Sequence, residues 1–155
     1  MRESYSTGSV TGDNYVGGLV GSNSYEVSDS YSTGSVTSEE GSYIGGLVGF
    51  NGDPGTVSDS YSTGSVSGNL HVGGLVGRNY GNAADSFWDE ENSDMTDGVG
   101  TGDDTGITSK SEQEMKDIET YRATGWDIVK IEDYVDQTWY IDDGNYYPRL
   151  GWQKP

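Results

Sequence analysis

The only histidine, His71, sits in the stretch Asn69–Gly74, N-L-H-V-G-G, at a position that Tyr15 and Tyr43 hold elsewhere in the chain. One histidine in a strand-like run, with no serine or cysteine tied to it by spacing, gives no nucleophile–base–orienter set. It reads as an exposed strand residue. Carboxylates are abundant and often adjacent: Glu39-Glu40, Glu90-Glu91, Asp103-Asp104 and Asp142-Asp143. A glycosidase needs two carboxyls facing each other across a bond. Acids side by side in turn-rich sequence read instead as solvated loops. The run D-E-E-N-S-D-M-T-D-G (Asp89–Gly98), followed by G-D-D-T-G, is rich in the oxygen ligands that Ca²⁺ takes, although its spacing is not that of an EF-hand loop. Asp89, Asp94, Asp97, Asp103 and Asp104 are therefore the candidate ligands of an irregular Ca²⁺ site. G-V-G-T-G-D-D-T-G (Gly98–Gly106) follows no apolar strand, and its acids repel phosphate, so it is not a nucleotide loop. A last candidate is aromatic. Tyr5, Tyr31 and Tyr61 recur in identical surroundings, and a ladder of aromatic rings flanked by Ser and Thr suits a polysaccharide.

Charge narrows the partners. The chain has 26 acidic and 8 basic residues, a net charge of −18. A nucleic acid backbone and an anionic membrane surface both need the opposite sign. Cations, or very salty surroundings such as a halophilic host, fit such a surface. There is no cysteine, hence no disulfide framework and no thiolate metal site. No apolar run approaches the ~20 residues of a membrane-spanning helix. No signal peptide and no N-x-Ser/Thr acceptor is visible, and Met1 opens directly into repeat sequence, so the chain reads as a segment of a longer parent with further repeats before it.

The elements that must position these residues follow from the repeat. S-Y-S-T-G-S-V occurs at Ser4–Val10, Ser30–Val36 and Ser60–Val66, with a decayed copy from Ser86. Each full copy is followed by V/I-G-G-L-V-G, at Val16–Gly21, Ile44–Gly49 and Val72–Gly77. A third short run follows at Glu26–Ser28, Thr56–Ser58 and Ala83–Ala84. β-branched and aromatic residues alternate with small ones, Gly and Asn separate the runs, and no helical period appears. Insertions fall only in turn-rich stretches. Three short strands per 26–30 residues, repeated in tandem, match the coils of a parallel β-helix stacked about 4.8 Å apart. The fold class is thus mainly β: a short β-solenoid of three to four coils with a C-terminal α+β cap. Three to four coils span only ~15 Å, short for the long cleft of a polysaccharide-cleaving β-helix.

Within the first run two registers are open. In one, Ser4, Ser6, Gly8 and Val10 face inward and Tyr5 and Thr7 form outward ladders; in the other the Tyr and Thr go inside. The first is favoured, because it buries Val10, Val36 and Val66 and fits small residues into a narrow bore. The pairs Gly17-Gly18, Gly45-Gly46 and Gly73-Gly74 mark places where a Cβ would meet a neighbouring wall. Asn23, Asn51 and Asn79 fall at one repeat position and can hydrogen-bond from coil to coil.

The repeat S-Y-S-T-G-S-V followed by V-G-G-L-V-G resembles the GLUG repeat family of large bacterial and archaeal surface and adhesin-like proteins, over about residues 3–88. Phe87-Trp88-Asp89, Gly125-Trp126-Asp127 and Trp139…Gly144…Tyr147-Pro148-Arg149-Leu150 resemble the terminator that follows such arrays. The resemblance implies an extracellular or cell-surface location, a passive spacing, display or adhesive role without catalysis or a required cofactor, and surface glycans or other cell-surface proteins as partners. A polysaccharide-binding module and a Ca²⁺-dependent adhesion module are the alternatives. One position departs from the family: its usual Asn is an acid here, at Glu3, Asp29, Asp59 and Asp85.

The expected boundary lies between a solenoid over residues 1–86 and a cap over residues 87–155. In the cap, "SEQEMKDIETY" predicts one helix over 112–121, with Ser111 as N-cap and Glu114 completing a capping box. "TWYIDDGNYYPRL" predicts a hairpin over about 137–150. A stack of coils ends in an open edge and an exposed bore, and such a cap closes it.

Overall fold

The computed structural model describes residues 1–154. It is a parallel β-solenoid of four coils with a C-terminal segment of short helices and a small sheet. Each of the first three coils contributes five short strands. In the first these are Tyr5–Ser6, Val10–Thr11, Val16–Gly17, Val20–Asn23 and Glu26–Ser28. Equivalent strands pair in parallel with no slip: Tyr5↔Tyr31↔Tyr61↔Phe87, Val10↔Val36↔Val66 and Val20↔Val48↔Val76↔Val99.

Two mixed cores fill the bore. Val27, Leu47, Val48, Val57, Leu75, Val76, Trp88 and Val99 form one, and Val16, Val36, Ile44 and Val66 the other. Val10, expected inside with its equivalents, is only half-buried, as is Leu19, because the first coil is stacked on one side only. The serines of the tyrosine run face inward, as favoured. The Ser62 hydroxyl donates to the Gly74 carbonyl at 2.6 Å, and a Cβ on Gly46 would press on Ser62 while one on Gly45 would collide with the Val48 carbonyl. At these glycines the bore is narrow enough that only serine fits against the opposite wall.

The stack runs past the boundary expected at residue 86. Ser86–Asp89, Val99–Gly102 and Ile107–Lys110 all join solenoid sheets in parallel. In the fourth coil, whose decayed first run is visible in sequence, the bore-facing serine is replaced: Trp88 pairs with Ser62 of the coil before it. Trp88 is buried and packs on Gly74 and Gly98. An indole thus plugs the bore where the repeat stops.

The helix expected over 112–121 is broken. Glu114–Lys116 form one turn of 3₁₀-helix and Ile118–Arg122 a separate α-turn. The Ser111–Glu114 capping contacts do form. Asp117 then interrupts, adopting extended geometry and capping the second piece by accepting from the Glu119 amide at 2.9 Å. Glu90–Ser93 form a further helical turn, capped by Asp89. The hairpin pairs Trp139–Ile141 with Arg149–Leu150, and Ile128–Lys130 adds a parallel third strand.

The C-terminal segment does not sit only on the last coil. It folds back along the flank of the stack, and Met115, Ile118, Tyr121, Trp126, Ile128, Trp139, Ile141 and Leu150 share one core with Tyr31, Tyr61 and Phe87. The 3₁₀ turn Gly151–Gln153 reaches the first coil, where the Trp152 indole donates to the Glu3 carbonyl at 3.2 Å.

Candidate functional site

The tyrosine ladder is real but roofed. Tyr5 and Tyr31 stack with ring centres 5.2 Å apart, and Tyr31 and Tyr61 5.0 Å apart and almost coplanar in orientation. These are the distances that in-register coils impose on outward side chains. Trp139 lies across both Tyr31 and Tyr61. The Tyr31 hydroxyl donates to Gln153 Oε1 at 3.0 Å, and that of Tyr61 to the Pro148 carbonyl at 2.6 Å. Burial pushes both phenols above their ordinary pKa. Of the three rings only Tyr5 is exposed, and its faces lie against Tyr31 and Trp152. The open track of rings expected for a polysaccharide is therefore absent: the faces are spent on one another and on the folded-back segment.

What the ladder does form is one wall of a groove of about 330 Å³. Tyr5, Thr7, Tyr31, Thr33 and Tyr61 line the solenoid side, and Tyr146, Tyr147, Pro148, Arg149 and Gln153 the other. Thr7 and Thr33 follow the tyrosines by two residues, so they stand on the same outward face.

The five acids expected to hold Ca²⁺ do not converge. Among the described residues no group of three or more acidic or histidine side chains is placed to hold a metal ion. Asp89 is fully buried and accepts from the Glu91 and Asn92 amides, the Asn92 side chain and the Tyr147 hydroxyl. Its oxygens are occupied by donors, and it orders the helical turn after it. Tyr147, half-buried and bonded to this carboxylate at 2.6 Å, has its pKa raised by burial first and by that bond second. Asp94 ends the turn in left-handed geometry, Asp97 accepts from Thr96, and Asp103 accepts from the Thr105 amide; bonding to Thr105, through its side chain first and its amide second, lowers the Asp103 pKa. Asp104 is exposed.

The acids that replace the family's Asn do align. Glu3, Asp29, Asp59 and Asp85 all adopt left-handed backbone, with φ between 46° and 48°. That corner explains the residue type, since Asn and Asp tolerate this region best after Gly. Asp59 is pushed above the usual carboxylate range by burial and by its neighbours Asp29 and Asp85.

A second ladder escaped the sequence reading. Tyr15, Tyr43 and His71 occupy another left-handed corner, with φ of 56°, 67° and 56°. Tyr43 and His71 stack at 5.2 Å and 4°. Arg78 lies over Tyr43 and Tyr80 and donates to the Tyr43 hydroxyl at 2.7 Å. The shared position of His71, Tyr15 and Tyr43 was visible in sequence. The arrival of Arg78 and Phe50 from the next strand was not, because it depends on how each coil turns its corner.

The corners are joined to the core by an asparagine spine. Asn23 donates to Asn51 and Asn51 to Asn79, each at 2.8 Å, and Asn79 donates to the Asp103 carbonyl at 2.7 Å. The spine ends on the backbone of the fourth coil.

Two stretches, residues 12–37 and 40–67, match the model of the GLUG motif. No curated protein and no solved structure matches the chain. Each matched stretch carries one turn of the stack from one V/I-G-G-L-V-G run to the next tyrosine run, so these two turns of the solenoid are similar to the GLUG motif.

Proposed function

We propose that the chain is a non-enzymatic structural module of a secreted or cell-surface protein, a rigid spacer or display block closed by its own C-terminal segment. The observation that carries this reading is the path of that segment. It covers Phe87, Tyr61 and Tyr31 in turn and ends hydrogen-bonded to Glu3 in the first coil. A stack whose coils touch only their neighbours frays coil by coil. A strap across all of them makes the block open as one unit. The surface placement and the adhesive role rest on the repeat family and on the acidic composition.

Pulling single molecules from both termini tests the mechanical part. One rupture that releases the whole chain supports it, and a staircase of coil-sized steps overturns it. Antibody labelling of intact producing cells tests the placement, which fails if label appears only after lysis.

A further inference from the structure

The groove beside the tyrosine ladder has a chemistry unlike the rest of the surface. The chain holds 26 acidic residues, yet no carboxylate lines this groove. Its one charged group is Arg149, which enters no ion pair among the described residues. Tyr5, Thr7, Thr33 and Tyr146 line it, and their hydroxyls find no protein partner among those residues. Gln153 uses its carbonyl oxygen on Tyr31 and on the Leu150 amide, which leaves its NH₂ as a donor. Tyr146 is 59% exposed and stacks on no other ring, so it is the aromatic face of the groove still open to a ligand. At about 330 Å³ the groove lies at the small end of the range for ligand clefts.

Hydroxyls that donate and accept, a guanidinium fork, an amide and one free aromatic face are complementary to a polyhydroxylated ring. A cationic ligand finds no carboxylate in the groove. A polyanion meets a molecule of net charge −18. We propose that this groove binds a neutral saccharide of one to a few pyranose units, with a sugar face on Tyr146 and vicinal hydroxyls on Arg149. The site exists only because the C-terminal segment folds back onto the first three coils. It is independent of the structural reading: an empty groove leaves the strap as it is.

The test is an amide-resolved NMR titration of the full chain with linear neutral tetrasaccharides of glucose, xylose, mannose and N-acetylglucosamine, and separately with tetragalacturonate. Saturable shifts centred on Thr7, Thr33, Tyr146 and Arg149 with at least one neutral sugar are expected. Tyr146→Ala, at an exposed position, should keep the melting temperature and weaken binding ~10-fold or more, as loss of an aromatic anchor does. Tyr80→Ala, on the other aromatic surface, should leave binding unchanged. The proposal is overturned by no saturable shift with any neutral sugar, by binding of the galacturonate alone, or by binding indifferent to Tyr146→Ala.

Discussion

The Trp152 indole and the Glu3 carbonyl, 149 residues apart in the chain, are hydrogen-bonded at 3.2 Å. The last turn of the protein is thereby fastened to the first corner of its first coil. Trp152 also lies 5.6 Å from Tyr5, ring centre to ring centre. Trp152→Ala removes both contacts from a partly exposed site, where a hydrogen bond contributes ~1 kcal/mol. The expected result is faster hydrogen exchange by the same factor at first-coil and third-coil amides, because the segment makes the coils open together.

Tyr147→Phe should cost more than its half-exposed position implies. The lost hydroxyl is one of the donors to the buried Asp89 carboxylate. A hydrogen bond to a charged group contributes ~1.5–3 kcal/mol. Urea denaturation of the two proteins measures the difference, and an unchanged midpoint would show that the other donors suffice.

The acid ladder predicts a pH signature. Asp59 has a raised pKa in the folded chain, so ionisation is harder folded than unfolded. The resulting penalty is fully present at pH 7 and vanishes below the unfolded value of ~3.9. Asp59→Asn should therefore stabilise the protein at pH 7, by less than ~1 kcal/mol given the partial exposure. The gain should shrink as pH falls through the carboxylate range. Any part that persists at pH 3 reflects the better fit of Asn to the left-handed corner, not charge. Because the ladder repels itself, melting temperature should also climb with NaCl.

Glycine positions give a matched pair. A Cβ on Gly45 would strike the Val48 carbonyl, whereas one on Gly8 meets nothing within 4 Å. Gly45→Ala should abolish or severely lower cooperative unfolding, because backbone blocks the space. Gly8→Ala should be neutral or slightly stabilising, since it restricts only the unfolded chain. Equal effects at the two positions would contradict the narrow bore.

The stack was legible because its physics is repetitive. Identical coils put Leu47 on Leu75 and Asn51 on Asn79, so the register was readable from spacing alone, and the glycine pairs announced a tight bore. Two things were not. The decayed copy from Ser86 announced a fourth coil, but its later strands, Val99–Gly102 and Ile107–Lys110, carry no repeat motif, and a period cannot show a strand that has stopped repeating. The roof over Tyr31 and Tyr61 arises from residues more than 80 positions away, Pro148 and Gln153 among them. For the tyrosines, facing outward follows from strand alternation, whereas exposure is decided by tertiary packing. The acids of residues 89–104 looked like one cluster in sequence because they are neighbours there. In the fold Asp89 and Asp103 accept from different amides, Asp97 accepts from the Thr96 hydroxyl, and Asp104 is exposed.

The central claim is that strap and coils open together. Native-state hydrogen exchange on the full chain tests it most directly, by comparing amides in the first coil around Val20, in the third around Val76, and in the C-terminal strand Trp139–Ile141. If the segment binds the stack into one unit, the three regions share one opening free energy, and Trp139→Ala, which removes a fully buried ring from the shared core, lowers all three by the same ~3–5 kcal/mol. If the C-terminal strand loses protection in that variant while the amides around Val20 and Val76 keep theirs, the strap is an appendage and the account is wrong.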